Sequence, residues 1–257
     1  MKARLDILVV ERGLAPTREK ARGMIMAGEV TVDGRVVDKP GHAIPVDASL
    51  ALADDRERFV GRGGTKLAGA LEEFGFDPAG MTALDVGAST GGFTDCLLRR
   101  GAARVHAVDV GHGQLDVNLR NDARVVVMEK TNIRSLSPEA IPGGVDLAVI
   151  DTSFISLKTV LPHAAAFVRP GGTIIALVKP QFELGRGEVG KGVVRDEELR
   201  ARAVESVTAA AGAMGLAVDG VCRSPITGAK GNVEFFVRLG VPREAPPGGA
   251  AGEGGAP

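Results

Sequence analysis

An α/β fold is expected here: a mostly parallel, Rossmann-like sheet whose last strand runs antiparallel, with a small α+β module in front. Three observations point to it. The stretch MTALDVGASTGGFTDCLLRRGAARVHAVDVG, residues 81–111, runs strand, glycine-rich turn, helix, strand, the order of a βαβ unit. Further apolar runs, VDLAVI and TIIALV, each lead to a charged residue near a strand's C-terminal end. The first forty residues instead read helix, helix, hairpin.

In the front module, residues 4–12 form a helix stopped by Gly13. Thr17 is placed to cap a second helix, with Glu19 in its first turn and Gly28 as its stop. Val30, Val32 and the Asp33-Gly34 turn then mark a β-hairpin. Residues 41–59 read as a connector containing Pro45, Asp54 and Asp55.

The large domain begins with VGRGGTKL, where the glycines are expected to allow a tight or positive-φ backbone that aims Lys66. Its strands are read at Thr82–Val86 and Val105–Val110, then in VDLAVI before Asp151, in TIIALV before Lys179, and in NVEFFVRL. Helices fill Gly92–Arg100, the stretch after Asp151, and 195–214. The last residues, PREAPPGGAAGEGGAP, are too rich in Pro, Gly and Ala to pack a core. The expected divisions are 1–58, 59–240 and a disordered tail over 241–257.

Composition narrows the function classes. The chain has 257 residues, 44% hydrophobic and 25% charged, an ordinary globular balance. Net charge is −1, so nucleic-acid contact has to come from local patches. Cys96 and Cys222 are far apart, and His42, His106, His112 and His163 are scattered, so neither a disulfide framework nor a metal centre is expected. The apolar runs fall far short of the roughly 20 residues of a membrane span. The N-terminus lacks a signal-peptide pattern, which makes the cytoplasm the expected location. With no Trp and no Tyr, base stacking falls to Phe or to an Arg plane.

The ligand of the glycine-rich turn is read by elimination. A dinucleotide fingerprint needs glycine where Ser89 stands. Gly87 to Gly92 has P-loop spacing, but Phe93 follows instead of the phosphate-binding lysine. A nucleoside with an amino-acid end remains, and S-adenosylmethionine is the expected cofactor. Gly87, Ala88, Ser89, Gly91, Gly92 and Phe93 would cradle it, Asp109 would take the ribose hydroxyls, and Asp85 would orient the turn or meet the amino group.

Asp151 and Lys179 end two parallel strands and therefore share one sheet edge. Glu234 reaches that edge if the last strand is antiparallel, and Lys66 arrives from the helix after GRGGT. A lone charge at a strand end is ordinarily a solvated cap. Two charges of each sign at one edge are a candidate reaction centre. In DTSF, Thr152-Ser153 replace the prolines of amino-methylating enzymes, which favours a ribose over a base amine as acceptor; Phe154 either stacks on a base or fills the core.

Two resemblances sharpen these expectations. The first forty residues, with R-L-D, R-G-L, a basic second helix, G-x-V-x-V-x-G and K-P, resemble the S-four-like RNA-binding domain. That resemblance implies RNA contacts at Arg4, Arg18, Lys20, Arg22 and Lys39, with Arg62 in the hinge added to them. Behind it, GRGGTKL, LDVGASTGGFTD, AVDVGHGQL, DTSFISL, LVKPQFE and GNVEFF resemble the TlyA family of the wider FtsJ-like group, over residues 1 to about 240. The resemblance implies ribosomal RNA 2′-O-methylation, with a ribosomal subunit as partner and a cytidine 2′-hydroxyl as target. It also implies a Lys66, Asp151, Lys179 and Glu234 tetrad, in which Lys179 accepts the hydroxyl proton or polarises the oxygen. Many members carry tryptophan in the linker where this chain has Phe59. A non-catalytic ribosome-assembly factor is the alternative. A membrane-lytic protein, which the family's haemolysin label brings in, lacks the basic, aromatic-rich amphipathic face it would need.

Overall fold

The computed structural model describes residues 1–52, 59–185, 187–189, 192–228 and 230–243. Asp54, Asp55 and the tail expected after 241 therefore lie wholly or mostly outside the described residues.

The front module opens with β1 (Lys2–Arg4), α1 (Leu5–Glu11) and α2 (Arg18–Met26). Thr17 caps α2 as expected, its hydroxyl accepting from the Lys20 N–H at 3.2 Å. Strands β2 (Val30–Val32) and β3 (Arg35–Val36) form the hairpin, with Asp33 and Gly34 both at positive φ as a type I′ turn requires. The stretch read as connector instead contributes two strands. β4 (Ala43–Pro45) pairs with β1, and β5 (Leu50–Leu52) pairs with β2, so the module extends to residue 52. Its core is small: Leu5, Val9, Ala21, Ile25 and Val30 are fully buried.

The large domain follows as α3 (Arg62–Glu73), β6 (Thr82–Val86), α4 (Gly92–Arg99), β7 (Arg104–Val108), α5 (Val117–Arg120) and β8 (Val125–Met128). It continues with β9 (Val145–Ile150), α6 (Leu157–Ala165), β10 (Val168–Val178), α7 (Pro180–Glu183), α8 (Glu197–Ala213), β11 (Ala217–Arg223) and β12 (Phe235–Gly240). The seven-stranded sheet has the order β11-β12-β10-β9-β6-β7-β8. All pairings are parallel except those of β12, which runs antiparallel to both β10 and β11.

Central strands β6, β9 and β10 are apolar on both faces because helices cover both. Leu84, Ala148, Ile150 and Ile174 pack on one side, while Ala83, Leu147, Val149 and Ile175 pack on the other. The strand order reverses beside β6, and the C-terminal edge there is where a ligand crevice belongs.

Candidate active site

The turn after β6 is bare backbone where side chains have no room. Gly87 sits at φ +89°, and a Cβ on it would stand 2.5 Å from the Asp151 carbonyl oxygen. Gly91, at φ +98°, caps α4 and is crowded by Leu115 and Leu119. Ser89 is also left-handed, at φ +50°, a conformation non-glycine residues seldom take. Its N–H donates to Asp109 Oδ2 at 2.8 Å, and the Gly111 N–H donates to Oδ1 at 2.6 Å. The Asp109 carboxylate is thus fixed just past β7, with acceptor capacity left for a ligand's hydroxyls.

Two cavities meet at this turn. One of about 530 Å³ is lined by Gly87, Ser89, Asp109, Asn132, Ile133 and Asp151, among others. Its neighbour, about 200 Å³, is lined by Ala88, Gly92, Phe93, Asp151 and Lys179, among others. A nucleoside with an amino-acid end fits: glycine backbone to lie along, a carboxylate for the ribose diol, and an apolar wall at Ile133 and Val110 for the base.

Of the two roles expected for Asp85, the structure favours orienting the turn over direct ligand contact. Asp85 is fully buried and lines neither cavity, so it does not meet a ligand's amino group directly. The Thr94 hydroxyl donates to its Oδ2 at 2.7 Å. Burial pushes its carboxyl up to about 7, against the opposing hydrogen bond from Thr94. Its role is beneath the turn, tying β6 to α4.

The four charged residues come together as two ion pairs. Lys66 Nζ donates to Glu234 Oε2 at 2.6 Å, with both residues buried. Lys179 Nζ lies 2.5 Å from Asp151 Oδ1, outside hydrogen-bond alignment, and donates to Ser153 Oγ at 2.9 Å. Lys66, Lys179 and Glu234 line a third cavity of about 320 Å³ with Phe154, Lys230 and Asn232. Lys179 also lines the 200 Å³ cavity, as does Asp151, so the reaction-type charges stand where the two spaces join. The antiparallel β12 is what brings Glu234 to this edge, since Glu234 immediately precedes that strand.

Phe154 does not fill the core. It is 90% exposed, at φ +66°, and its ring centroid lies 5.2 Å from that of Phe182. Strained, exposed residues of this kind gather at functional sites. Glu183 ties the loop below Phe154 to the segment after β10, accepting from Ser156 Oγ at 2.6 Å and from the Leu157 N–H at 2.8 Å.

The glycines of VGRGGTKL serve close packing rather than an unusual backbone. Gly61 is extended at φ −165°, and neither Gly63 nor Gly64 has positive φ. A Cβ on Gly64 would meet the Phe59 ring system at 2.2 Å, and one on Gly92 would meet the Gly64 nitrogen at 2.8 Å. The two glycine-rich segments therefore lie backbone against backbone, which seats Lys66 beside the ligand turn. Phe59 is covered by the Arg99 guanidinium, 5.1 Å from its ring centroid.

The cations expected to meet RNA divide into three groups. Arg4 and Arg18 both donate to the fully buried Asp6, Arg4 through two bonds of 3.0 and 2.9 Å and Arg18 through one of 3.0 Å. Arg62 is turned inward, its Nη2 donating to Asp38 Oδ2 and to the Thr227 carbonyl. Its guanidinium is engaged between the front module and the large domain. Lys20, Arg22 and Lys39 are exposed on the front module.

Among the described residues, no cluster of His, Cys, Asp and Glu has metal-binding geometry, and no helix is long and apolar enough to cross a membrane. Burial pushes the Cys96 thiol up to about 12 and the Cys222 thiol up to about 11, so both are inert. Sequence reasoning missed Ser153, Gln114, Asn132, Ile133, Lys230 and Asn232 as lining residues. Only Ser153 carried a usable signal, its place between Asp151 and Phe154.

Residues 59–241 match the family model for FtsJ-like methyltransferases, and residues 3–48 match the S4 domain. The chain is 52% identical over 240 residues to a Mycobacterium tuberculosis protein named 16S/23S rRNA (cytidine-2′-O)-methyltransferase TlyA, covering 93% of this chain and 90% of the relative. Hemolysin A of Brachyspira hyodysenteriae is 39% identical, over 92% of this chain and 99% of its own length. A solved structure of a protein described as a hemolysin from Streptococcus thermophilus superimposes with a TM-score of 0.72 at 44% identity, covering 94% of this chain and 90% of that one. With its site geometry, both matched segments and half its residues shared with TlyA, this chain belongs to the TlyA branch of the FtsJ-like methyltransferase family.

Proposed function

We propose that the protein transfers a methyl group from S-adenosylmethionine to the 2′-hydroxyl of a cytidine in ribosomal RNA. The observation that carries this reading is two neighbouring ion pairs, the buried Lys66–Glu234 and the partly buried Lys179–Asp151, beside the 320 Å³ space. The name of the 52% identical relative supports the substrate.

The residues divide the work as follows. Gly87, Ala88, Ser89, Gly92 and Phe93 hold the cofactor's amino-acid end, and Asp109 takes its ribose; Gly91 keeps the turn in shape. When bound, S-adenosylmethionine supplies an electrophilic methyl group on a sulfonium. A ribose hydroxyl is a weak nucleophile until its proton is handled, and Lys179 Nζ is the group placed to do so. Ser153 accepts one of the hydrogens of an ammonium there and Asp151 pairs with its charge, which leaves hydrogen for the incoming oxygen; a neutral amine accepts the proton instead. Asp151 and Ser153 hold that nitrogen in place. Lys66, fixed by Glu234, sets a second positive charge on the wall of the acceptor space and steadies the oxygen as its charge changes. Much of the acceleration comes from alignment of oxygen and methyl, for which effective molarities reach ~10⁵ M or more.

The front module grips the RNA through Lys20, Arg22 and Lys39. The exposed Phe154 is placed to meet the acceptor nucleotide. Mass-spectrometric mapping of ribose methylation in ribosomal RNA, from ribosomal subunits treated with this chain and labelled cofactor, tests the proposal. A new 2′-O-methylcytidine is the expected result. Methylation found only on a base, or no transfer to any RNA, overturns it.

A further inference from the structure

Arg62 stands between the two domains, and its partners form a lock. Its Nη2 donates to Asp38 Oδ2 at 3.0 Å and to the Thr227 carbonyl at 2.7 Å. The Thr227 hydroxyl donates to the same Asp38 oxygen at 3.1 Å. The side chains of Arg62 and Asp38 are only 24% and 12% exposed, so these charge-assisted bonds are partly withdrawn from water.

Each residue of the lock comes from a different part of the chain. Asp38 lies just past the hairpin of the front module. Arg62 opens α3 four residues before Lys66, one turn away along the same face. Thr227 immediately precedes Gly228, whose Cβ, if it had one, would stand 2.3 Å from Glu234 Oε1. The lock therefore joins the front module to both supports of the Lys66–Glu234 pair. Beside it lies a cavity of about 460 Å³, lined by Asp38, Lys39, His42, Arg223 and Thr227, among others.

We propose that Asp38, Arg62 and Thr227 are positioning residues, a lock that aligns the Lys66–Glu234 pair with RNA seated on the front module. The proposal rests on the reading of that pair as part of the reaction centre. A lock that merely glued two domains together would show in stability or in RNA affinity. A lock that aligns the pair shows in the rate once both substrates are bound.

The test uses the full chain, ribosomal subunits lacking the modification, and S-adenosylmethionine. Asp38→Ala, Asp38→Glu and Thr227→Val are compared with the parent for rate at saturation, RNA and cofactor affinity, and melting temperature. Asp38→Ala is expected to lower the saturated rate about tenfold or more, as a small misplacement does, with both affinities and melting nearly unchanged. Asp38→Glu restores most of the rate, and Thr227→Val loses less than Asp38→Ala. Should Asp38→Ala fold poorly, Thr227→Val decides the matter by the same readout. An unchanged saturated rate overturns the lock, as does a loss confined to RNA affinity or one that tracks melting in all variants. A parent chain that methylates no ribose removes the functional reading itself; an active parent with an equally active Asp38→Ala removes only the lock.

Discussion

At the sheet edge, each buried cation has its own anion: Lys66 with the buried Glu234, and Lys179 with the partly buried Asp151. On the front module, two arginines share Asp6, while Lys20, Arg22 and Lys39 stand in water. The difference is one of purpose. A withdrawn, matched pair holds an atom at one position, because either partner left alone in a poorly solvated place is costly. Exposed cations supply a field that falls off within a screening length and tolerates rearrangement. The first kind of charge suits chemistry and the second suits a polyanion.

Substitution at the reaction centre tests that contrast most severely. Lys179→Ala should lower methyl transfer by about 10²–10⁴ while largely keeping cofactor affinity, as read by label transfer and calorimetry. Full activity in this variant would take Lys179 out of the reaction.

The next largest effect separates fold from chemistry. Lys66→Ala strands the Glu234 carboxylate, which is 3% exposed, and should cost about 3–5 kcal/mol in urea unfolding. Lys66→Met combined with Glu234→Leu should recover most of that stability and stay inactive. An active double variant would reduce the pair to a packing element.

Asp85 offers a third comparison, a buried carboxyl with no ion-pair partner among the described residues. Its pKa is raised from 3.8 to about 7, so the folded state disfavours its ionised form. Stability therefore falls as pH rises from about 4 toward about 7, then levels off. Asp85→Asn should be more stable than the parent at pH 8 by up to about 4 kcal/mol, with the gap closing near pH 4. Parallel stability curves for the two proteins would contradict the shift.

The smallest effects belong to the front module. Lys20→Ala and Arg22→Ala should each weaken RNA binding modestly and lower its salt slope by about one. Arg4→Ala and Arg18→Ala, which loosen the buried Asp6, should instead lower the melting temperature. Equal salt slopes for all four variants would erase the distinction.

The legible parts were those with local physics. Thr17 as a cap, Asp33-Gly34 as a turn and Thr82–Val86 as a strand needed no distant contact to be read. Strand β11 escaped because it is an edge strand with Gly220 inside it, and an edge shows no continuous apolar run. The choice between the two roles of Asp85 was hidden for a different reason. Proximity to the turn said nothing about which face its side chain takes, and strand alternation points it at Thr94 under α4. The glycines of GRGG were visible as glycines, but the segment they accommodate, around Gly92, lies nearly thirty residues away. The inward turn of Arg62 was hidden for the same reason: its partners, Asp38 and Thr227, are remote along the chain.

Gly87 and the Asp151 carbonyl sit so close that not even a methyl group separates them, and the Asp151 N–H donates to the Val86 carbonyl next door at 3.0 Å. Donor seat and acceptor machinery thus share a single stretch of masonry. On the proposed reading, whatever shifts one shifts the other, and the distance a methyl group would travel is built into the walls rather than set anew at each turnover.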